Sequence, residues 1–221
     1  MFWGWGVIIV TDRDETAFIY GSFHLPYKTT NESLSSIVKG LDIKQGDDVF
    51  AICGSGDQAF AMLAAGADHV YAIDNDEGAI EFAQSRLELL CRDREDLFSY
   101  FVGKNNLNYL TDAGMEIIRS NYDKICFGHS NILTCDITGQ YNKIYLSNVF
   151  NNLGHCSFAE FDPWFERVSS HFSEGALVYS ACPIPSDSVS SRLLEYAEEL
   201  TDIARADRSS YSNPVVYRKV V

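Results

Sequence analysis

An alternation of short apolar segments and helical patterns between residues 47 and 92 constrains the fold more than any other feature. The strand-like segments are DDVFAIC (47–53) and HVYAID (69–74), and the helix-like segments are QAFAMLAAG (58–66) and DEGAIEFAQSRLELLCR (76–92). The loop Gly54-Ser55-Gly56 separates the first strand from its helix. Two strands joined through a helix run parallel, so this stretch predicts a βαβ unit.

The chain beyond residue 92 continues this alternation. Its segments predict a strand, a helix, a strand, a helix and a final strand: NKIYLSNVF (142–150), FAEFDPWFERVSSHF (158–172), GALVYSAC (175–182), SVSSRLLEYAEEL (188–200) and NPVVYRKVV (213–221). Between residues 92 and 130, REDLFSYF and GMEIIRSNY look helical, but the sequence does not place them further. We therefore expect an α/β fold with one doubly wound, mostly parallel sheet.

The first 47 residues differ from the alternating part. They contain an apolar start, the segment SFHLPYKTTNES and the helical pattern SLSSIVKGL, which Thr30 or Asn31 could cap. We expect residues 1–47 to form a lead-in or lid and residues 48–221 to form a single structural unit. No basic residue precedes the apolar start, so we expect no signal peptide.

The charge of the chain argues against several classes of partner. Lysine and arginine number 17 against 31 aspartates and glutamates, which gives a formal net charge of −14. Nucleic acids and anionic membranes are bound through basic patches, so we expect neither nucleic-acid binding nor stable membrane association. No apolar run approaches the roughly 20 residues of a membrane-spanning helix. We expect a small-molecule substrate, and the oligomeric state stays open.

Neither the cysteines nor the histidines are spaced as metal ligands. The six cysteines form no CxxC pair, and the five histidines show no HExxH pattern. We therefore expect no metal site. Reduced thiols in largely apolar segments are typical of cytoplasmic proteins, and the cytoplasm is the expected location.

A glycine loop and an acid occupy the positions at which α/β proteins bind nucleotides. Gly54-Ser55-Gly56 lies where glycine permits a tight turn and a close approach of a ligand to the backbone. Asp74 ends the next strand, 20 residues after Gly54, where a carboxylate can accept both hydroxyl protons of an adenosine ribose. This spacing indicates an adenosine-type ligand, and a plain βα turn with a helix-capping acid is the structural alternative.

The residue after the loop distinguishes between two adenosine ligands. GSGDQA fits the dinucleotide pattern G-x-G-x-x-A, but Asp57 places a carboxylate inside it, and this charge repels a pyrophosphate. S-adenosylmethionine (SAM) carries no phosphate, and a carboxylate favours its sulfonium and ammonium. Asp57 therefore favours SAM, unless it is only a first-turn helix acid. Asp136 could lie near the adenine amino group, or only form a turn.

The stretch from Gly46 to Leu90 resembles the core of class I SAM-dependent transferases. More closely, it is similar to the 3-amino-3-carboxypropyl transferases of the betaine-lipid synthase type and to small relatives that make azetidine carboxylate or metallophores. The resemblance covers roughly residue 40 to the end. It rests on the loop Gly56-Asp57-Gln58-Ala59, with Gln for the usual Asn, the strand end Asp74-Asn75, the stretch REDLFSYFVG, the turn residues Ser147, Asn148 and Asn151, and the tail residues Asp207, Arg208, Tyr211, Tyr217 and Arg218.

This resemblance implies a Rossmann-like fold and SAM as the donor. It also implies cleavage of the bond between the sulfonium and Cγ, with release of methylthioadenosine. The chain is shorter than the lipid enzymes and has no basic or amphipathic membrane-binding face, so a small soluble acceptor, or cyclisation onto the donor's own amine, is expected. The alternatives are a small-molecule methyltransferase that releases S-adenosylhomocysteine, a dinucleotide-binding dehydrogenase and a non-catalytic SAM-binding module.

Candidate catalytic residues lie at the expected end of the fourth strand and in the tail. Asn148, beside Ser147, could orient an amine nucleophile, and a turn-capping role is its alternative. Tyr211 is the next candidate for this role. Arg208 could clamp a carboxylate, unless the tail only packs on the core.

An aromatic group in the lead-in supplies a further candidate. Tyr20, Phe23 and Tyr27 could cover a sulfonium by cation–π attraction, or pack against the sheet. The catalytic candidates are Asn148, Tyr211 and Tyr20, and the SAM-binding candidates are Gly54, Ser55, Gly56, Asp57, Asp74, Asn75, Asp136, Ser147 and Asn148.

Overall fold

The computed structural model describes five stretches of the chain, namely residues 29–100, 111–151, 156–184, 192–209 and 212–220. At Tyr100 it describes the backbone only. The proposed lid residues Tyr20, Phe23 and Tyr27 lie outside the described residues, and so does Tyr211. The expectations for these four side chains therefore stay predictions.

The described strands form one seven-stranded sheet. The strands are β1 (Asp48–Ile52), β2 (His69–Asp74), β3 (Ile125–His129), β4 (Tyr141–Tyr145), β5 (Phe172–Ser180), β6 (Leu194–Tyr196) and β7 (Val215–Lys219). Their order is β3-β2-β1-β4-β5-β7-β6. Strands β1 to β5 pair in parallel, and β7 is antiparallel to both β5 and β6. The prediction of a doubly wound, mostly parallel sheet is confirmed.

Helices cover both faces of this sheet. They are α1 (Leu34–Gly40), α2 (Asp57–Ala64), α3 (Glu77–Cys91), α4 (Glu95–Tyr100), α5 (Asp112–Ser120), α6 (Phe158–Val168) and α7 (Glu198–Ala206). Side chains alternate along β1, so that Val49 and Ala51 join a core under α1, α2 and α3 while Phe50 joins a second core under α6. The second core is rich in aromatic rings, including Phe161, Trp164 and Phe165.

The first helix is capped by a different residue from those expected. Ser33, rather than Thr30 or Asn31, is the N-cap of α1, and its hydroxyl accepts a hydrogen bond from the Ser36 amide at 3.2 Å. The helix lies within the predicted lead-in, yet Leu34 and Ile37 are fully buried in the core of the sheet domain.

Of the predicted helix over residues 188–200, the structure describes residues 192–200, and the prediction is wrong for residues 194–196 and right for residues 198–200. Leu194–Tyr196 forms strand β6, which pairs with β7, and α7 begins only at Glu198. Leu194 is buried and the two residues after it are exposed, a pattern too short to distinguish an edge strand from a helix. The ladder with β7 decides between them.

Two other strands also differ from the sequence expectations. Strand β4 ends at Tyr145 rather than at residue 150, because Ser147 has a φ of +53° and a 3₁₀ turn follows at Val149–Asn151. Strand β3 occupies part of the stretch that the sequence left unassigned. Among the described strands it pairs only with β2, and it carries a mixture of buried and exposed residues, so it gives a weak strand signal.

No described helix combines the length and apolar character that crossing a membrane needs. Within the described residues, no group of three or more His, Cys, Asp or Glu side chains is placed to hold a metal ion.

Candidate functional site

A cavity lies at the carboxyl ends of the central parallel strands. The strand order reverses between β1 and β4, and ligands of doubly wound sheets bind in the crevice outside such a reversal. The cavity has a volume of about 630 Å³, within the range of small-molecule sites. Its described lining comprises Thr29, Thr30, Asn31, Glu32, Ile52, Gly54, Ser55, Gln58, Asp74, Asn75, Asp76, Glu77, Ala79, His129, Ser147, Asn148 and Val149.

The two glycines of the loop serve different purposes. Both have left-handed backbones, with φ of +52° at Gly54 and +85° at Gly56. A Cβ built at Gly56 would lie 2.8 Å from the Ala83 Cβ, so this glycine lets α3 pack closely. A Cβ at Gly54 would meet only the Gln58 amide, at 3.9–4.0 Å. Gly54 therefore presents bare backbone to the cavity.

Asp74 lies at the cavity, as its spacing from the loop led us to expect. Its two carboxylate oxygens accept hydrogen bonds from the amides of Gly54 at 2.9 Å and Asp76 at 3.0 Å. Burial raises the pKa of Asp74, and these amides oppose the shift. Each oxygen keeps a free lone-pair direction, so the carboxylate can still accept from ligand hydroxyls. The neighbouring Asn75 also lines the cavity.

Asp57 does not face the cavity, which differs from the expectation that its charge meets the ligand. The side chain is fully buried, and its carboxylate lies 2.8 Å from the Arg86 guanidinium. The carboxylate also accepts hydrogen bonds from the Ser55 hydroxyl at 2.7 Å and the Thr30 amide at 3.1 Å. The charge of Asp57 is therefore compensated inside the protein, and its role is to hold the loop.

Asp136 is likewise absent from the cavity lining. It is exposed, between the buried residues Cys135 and Ile137 on the stretch that follows β3. The two neighbours belong to the aromatic core under α6 and turn the carboxylate outward. The structure therefore offers no support for a contact between Asp136 and an adenine in this cavity.

Ser147 and Asn148 both line the cavity at the end of β4. Ser147 adopts a left-handed backbone that is uncommon for a residue other than glycine, and its carbonyl accepts a hydrogen bond from the Ala181 amide at 2.8 Å. This geometry aims its hydroxyl across the cavity, where it donates to Glu32. The structure thus places both residues at the cavity, and their roles in binding or catalysis stay predictions.

Glu32 is a cavity residue that sequence reasoning missed. It is only 6% exposed, and its Oε1 accepts hydrogen bonds from the Ser147 hydroxyl and, at 2.9 Å, from the Tyr145 hydroxyl. Burial raises the pKa of Glu32, and these hydrogen bonds oppose the shift. These partners are more than 100 residues away in sequence. No local pattern signals such a contact.

Gln58 is the second residue that was not assigned to the site. Its Nε2 donates to the Thr30 hydroxyl at 2.9 Å and to the Tyr145 hydroxyl at 3.3 Å. The side chain lines the cavity although the residue is only 5% exposed. Its place in the loop, where the resembling family has asparagine, was the available signal.

The described tail residues hold other parts of the fold. Asp207 accepts hydrogen bonds from Ser35 and Lys39 and so joins α7 to α1. The Tyr217 hydroxyl accepts from the Ile184 amide at 2.8 Å. Arg208 is exposed and donates to Asn213 at 3.3 Å. None of these residues is in the described cavity lining, so the structure does not bring Arg208 to the site.

With the exception of His129, the ionisable side chains in the described lining of the cavity are all carboxylates. Four carboxylates, those of Glu32, Asp74, Asp76 and Glu77, line it, and its described lining contains neither lysine nor arginine. Asp76 also caps α3, accepting from the Gly78 amide at 2.8 Å. Such a cavity attracts cations and disfavours the multiple negative charges of a pyrophosphate.

Sequence comparisons with known proteins gave no match. No protein-family model matches the chain, and no curated protein sequence matches it either.

Structure comparisons, by contrast, gave many similar folds. The crystal structure of the [4+2]-cyclase SpnF is similar with a TM-score of 0.52 and 10% identity, over 85% of this chain and 80% of that one. Two methyltransferase structures are more distant. The N-methyltransferase NodS from Bradyrhizobium japonicum has a TM-score of 0.47 and 12% identity, over 83% of each chain. The magnesium protoporphyrin IX methyltransferase ChlM from Synechocystis has a TM-score of 0.47 and 12% identity, over 93% of this chain and 79% of that one. Together with the strand order, the likeness to SpnF shows that this chain has a class I methyltransferase-like α/β fold.

Proposed function

We propose that the chain is a SAM-dependent transferase. The observation that carries this proposal is the cavity at the reversal of the strand order, where the bare backbone of Gly54, the Asp74 carboxylate and three further carboxylates of the described lining meet. Each of these features matches a different part of the same ligand.

The residues present fit SAM better than a dinucleotide. A volume of about 630 Å³ suits an adenosyl amino acid, and Asp74 can accept from the ribose hydroxyls. A pyrophosphate would meet the carboxylates of Asp74, Asp76 and Glu77 with no lysine or arginine among the described lining residues. Asp57 no longer contributes to this choice, since Arg86 neutralises it, but the acids of the cavity itself support the same conclusion.

Within this class, we propose transfer of the 3-amino-3-carboxypropyl group, either to a small soluble amine or back onto the donor's own amine. SAM, when bound, supplies the carbon electrophile: its S–Cγ bond breaks with the electron pair moving to sulfur, while the new N–Cγ bond forms. Methylthioadenosine is the leaving product. The resemblance in the glycine loop and at Ser147-Asn148 supports this reaction.

The chain's own residues would then have two tasks. The amine must lose a proton as the N–Cγ bond forms, and the buried Glu32 carboxylate, which lines the cavity, can accept it. Asn148, at the same strand end, can accept a hydrogen bond that orients the amine. Tyr145 and Ser147 fix the Glu32 carboxylate by donating to it.

Methyl transfer is the second candidate. It is favoured by the fold, which is that of class I methyltransferases, and it needs the same acidic cavity. The two reactions differ in the bond to sulfur that breaks, so their products differ. Methyl transfer leaves S-adenosylhomocysteine, whereas aminocarboxypropyl transfer leaves methylthioadenosine.

Calorimetry followed by product analysis tests both levels of the proposal. SAM should bind the purified chain, and Asp74→Asn should weaken this binding at least tenfold. Asp48→Asn is the matched control, because Asp48 begins β1 at its amino end, opposite the cavity, and forms a hydrogen bond with His69. Absence of SAM binding by the unaltered chain would overturn the proposal.

Mass spectrometry of the sulfur-containing product then separates the reactions. Methylthioadenosine formed from SAM alone indicates cyclisation, and methylthioadenosine formed only with an added amine indicates transfer. S-adenosylhomocysteine in its place would select the methyltransferase alternative.

A further inference from the structure

Two polar side chains that share one hydrogen-bond partner lie on the wall of the cavity between the glycine loop and β4. They belong to Gln58 and Glu32, and the Tyr145 hydroxyl bonds to both side chains, at 3.3 Å from the Gln58 Nε2 and 2.9 Å from the Glu32 Oε1. A shared partner at these distances makes the two side chains immediate neighbours. Both residues are more than nine-tenths buried and both line the cavity.

The orientation of the Gln58 amide follows from the proton count at Tyr145. A phenol has one proton, and the Tyr145 hydroxyl gives it to the Glu32 carboxylate. The phenol oxygen can then only accept from Gln58, so the amide must turn its NH₂ group toward Tyr145. The same NH₂ group also reaches the Thr30 hydroxyl at 2.9 Å.

This orientation leaves the Gln58 Oε1 as a buried acceptor that has no donor among the described residues. Buried acceptors of this kind are rare, because each forfeits the hydrogen bonds that water would give. The side chain of Gln58 lies beside the bare backbone of Gly54, about 4 Å from where a Cβ would stand. An N–H donor that enters the cavity along the glycine loop would complete the network.

The surrounding charges specify the kind of donor. Glu32, which is linked to Gln58 through the Tyr145 hydroxyl, adds a carboxylate to this wall, and Asp74, Asp76 and Glu77 also line the cavity. A cationic donor gains from every one of these groups, whereas a neutral amide or an anion does not.

We propose that Gln58 and Glu32 form a subsite for a protonated primary amine. The inference rests on the proposed function, and it assigns this subsite to the α-amino group of the adenosyl amino acid. Gln58 thereby becomes a specificity residue that distinguishes adenosyl ligands that carry an amine from those that lack it.

Calorimetry with three thioether ligands tests the assignment. S-adenosylhomocysteine has both the amine and the carboxylate, S-adenosyl-3-thiopropylamine has the amine alone, and methylthioadenosine has neither. Gln58→Met keeps the length of the side chain and removes its acceptor. It should weaken binding of the first two ligands about tenfold and leave methylthioadenosine within twofold.

A second variant covers the case that Gln58→Met fails to fold. Glu32→Gln keeps an oxygen that accepts from Tyr145 and Ser147 and removes the negative charge. It should give the same selective loss. Asp74→Asn is the control, because it should weaken all three ligands alike.

Each other outcome overturns a distinct claim. Equal losses for all three ligands with both variants would mean that Gln58 and Glu32 only support the cavity wall. A loss for S-adenosylhomocysteine without one for the propylamine ligand would assign the subsite to the carboxylate. If the unaltered chain binds no adenosyl ligand, SAM included, the proposed function itself fails, and the amine subsite fails with it.

Discussion

The guanidinium of Arg86 lies 2.8 Å from the Asp57 carboxylate, and neither side chain is exposed to solvent. Arg86 also donates to the Ser55 carbonyl at 2.8 Å, and the rings of Phe60, Phe82 and Phe98 surround it with centroids 5.1–5.7 Å away. The pair therefore holds the glycine loop from the protein side while the other side of the loop faces the cavity.

Removal of the two charges of this pair should have non-additive effects on the free energy of unfolding. Arg86→Met should lower the free energy of unfolding by about 3–5 kcal/mol, because it leaves the Asp57 carboxylate buried without its counter-charge. Arg86→Met combined with Asp57→Asn should be more stable than Arg86→Met alone, since an uncharged amide can still accept from Ser55 and Thr30. Urea unfolding of the two single variants and the double variant measures this coupling. Additive effects would contradict it.

A second buried pair serves as a control for the effect on the site. Lys143 lies 3.6 Å from Asp47 at the amino end of the sheet, away from the cavity, and both side chains are nearly buried. Lys143→Met should also destabilise the fold but leave the SAM dissociation constant unchanged. The Arg86→Met, Asp57→Asn double variant should weaken SAM binding. Similar affinities for the two sets of variants would show that Arg86 has no particular role in positioning the loop.

Glu32→Gln should stabilise the protein while it weakens ligand binding. Burial raises the pKa of Glu32 in the folded state above its value in the unfolded chain. The protein therefore loses stability as the pH rises from the unfolded-state pKa to the folded-state pKa, and this loss persists at higher pH. We expect a gain of about 0.5–2 kcal/mol at pH 7, as for other substitutions that relieve a strained functional group. Thermal unfolding at pH 7 and pH 4 measures it. The gain should shrink at the lower pH, where Glu32 is protonated, and a loss of stability at pH 7 would refute the argument.

SAM binding should weaken as the pH falls. The pKa values of Glu32 and Asp74 are both raised by burial, and a bound cation stabilises their ionised forms, so protons and ligand compete. The dissociation constant should therefore rise as the pH drops through these raised values and level off above them. Calorimetry between pH 4.5 and 8 follows the change. In Glu32→Gln the dependence should be shallower, and an identical profile would exclude Glu32 as a contributor.

The two loop glycines should respond differently to alanine. Gly54→Ala should cost about 1–2 kcal/mol for its left-handed backbone and should abolish SAM binding, because the new methyl group stands in open space beside Gln58. Gly56→Ala should cost about 1–3 kcal/mol more, since its Cβ would collide with Ala83 at 2.8 Å. Urea unfolding and calorimetry on both variants test the contrast. Equal stabilities would contradict it.

The sequence predicts the central βαβ unit because its signals are local. Buried strands such as Asp48–Ile52 are short apolar runs bounded by turn residues, and α3 has both an N-cap acid and regular apolar spacing. The position of Asp74 follows from the same pattern. By contrast, Leu194–Tyr196 is too short for periodicity to distinguish strand from helix, and only its partner β7 decides.

The sequence does not predict which way the side chains of the site point. The sequence puts Asp57 in the loop, but whether it faces the ligand or the interior depends on Arg86, one helix later. Glu32 precedes α1 like an ordinary helix-flanking acid, and its burial depends on Tyr145 and Ser147 from the other half of the chain. Contacts between residues so far apart in the sequence form only in the folded protein.

The position of β7 between β5 and β6 sets the order in which the molecule can be completed during synthesis. Residues 194–196 have no described partner in the sheet until residues 215–219 emerge from the ribosome, since β6 bonds only to β7. Until then the edge of β5 stays open, and Val178 and Tyr179, fully buried in the finished protein, lack their neighbour strand. A nascent chain that stalls before residue 215 would thus expose the unpaired edge of β5, which can pair with other chains. A chaperone would matter most for this protein at that stage.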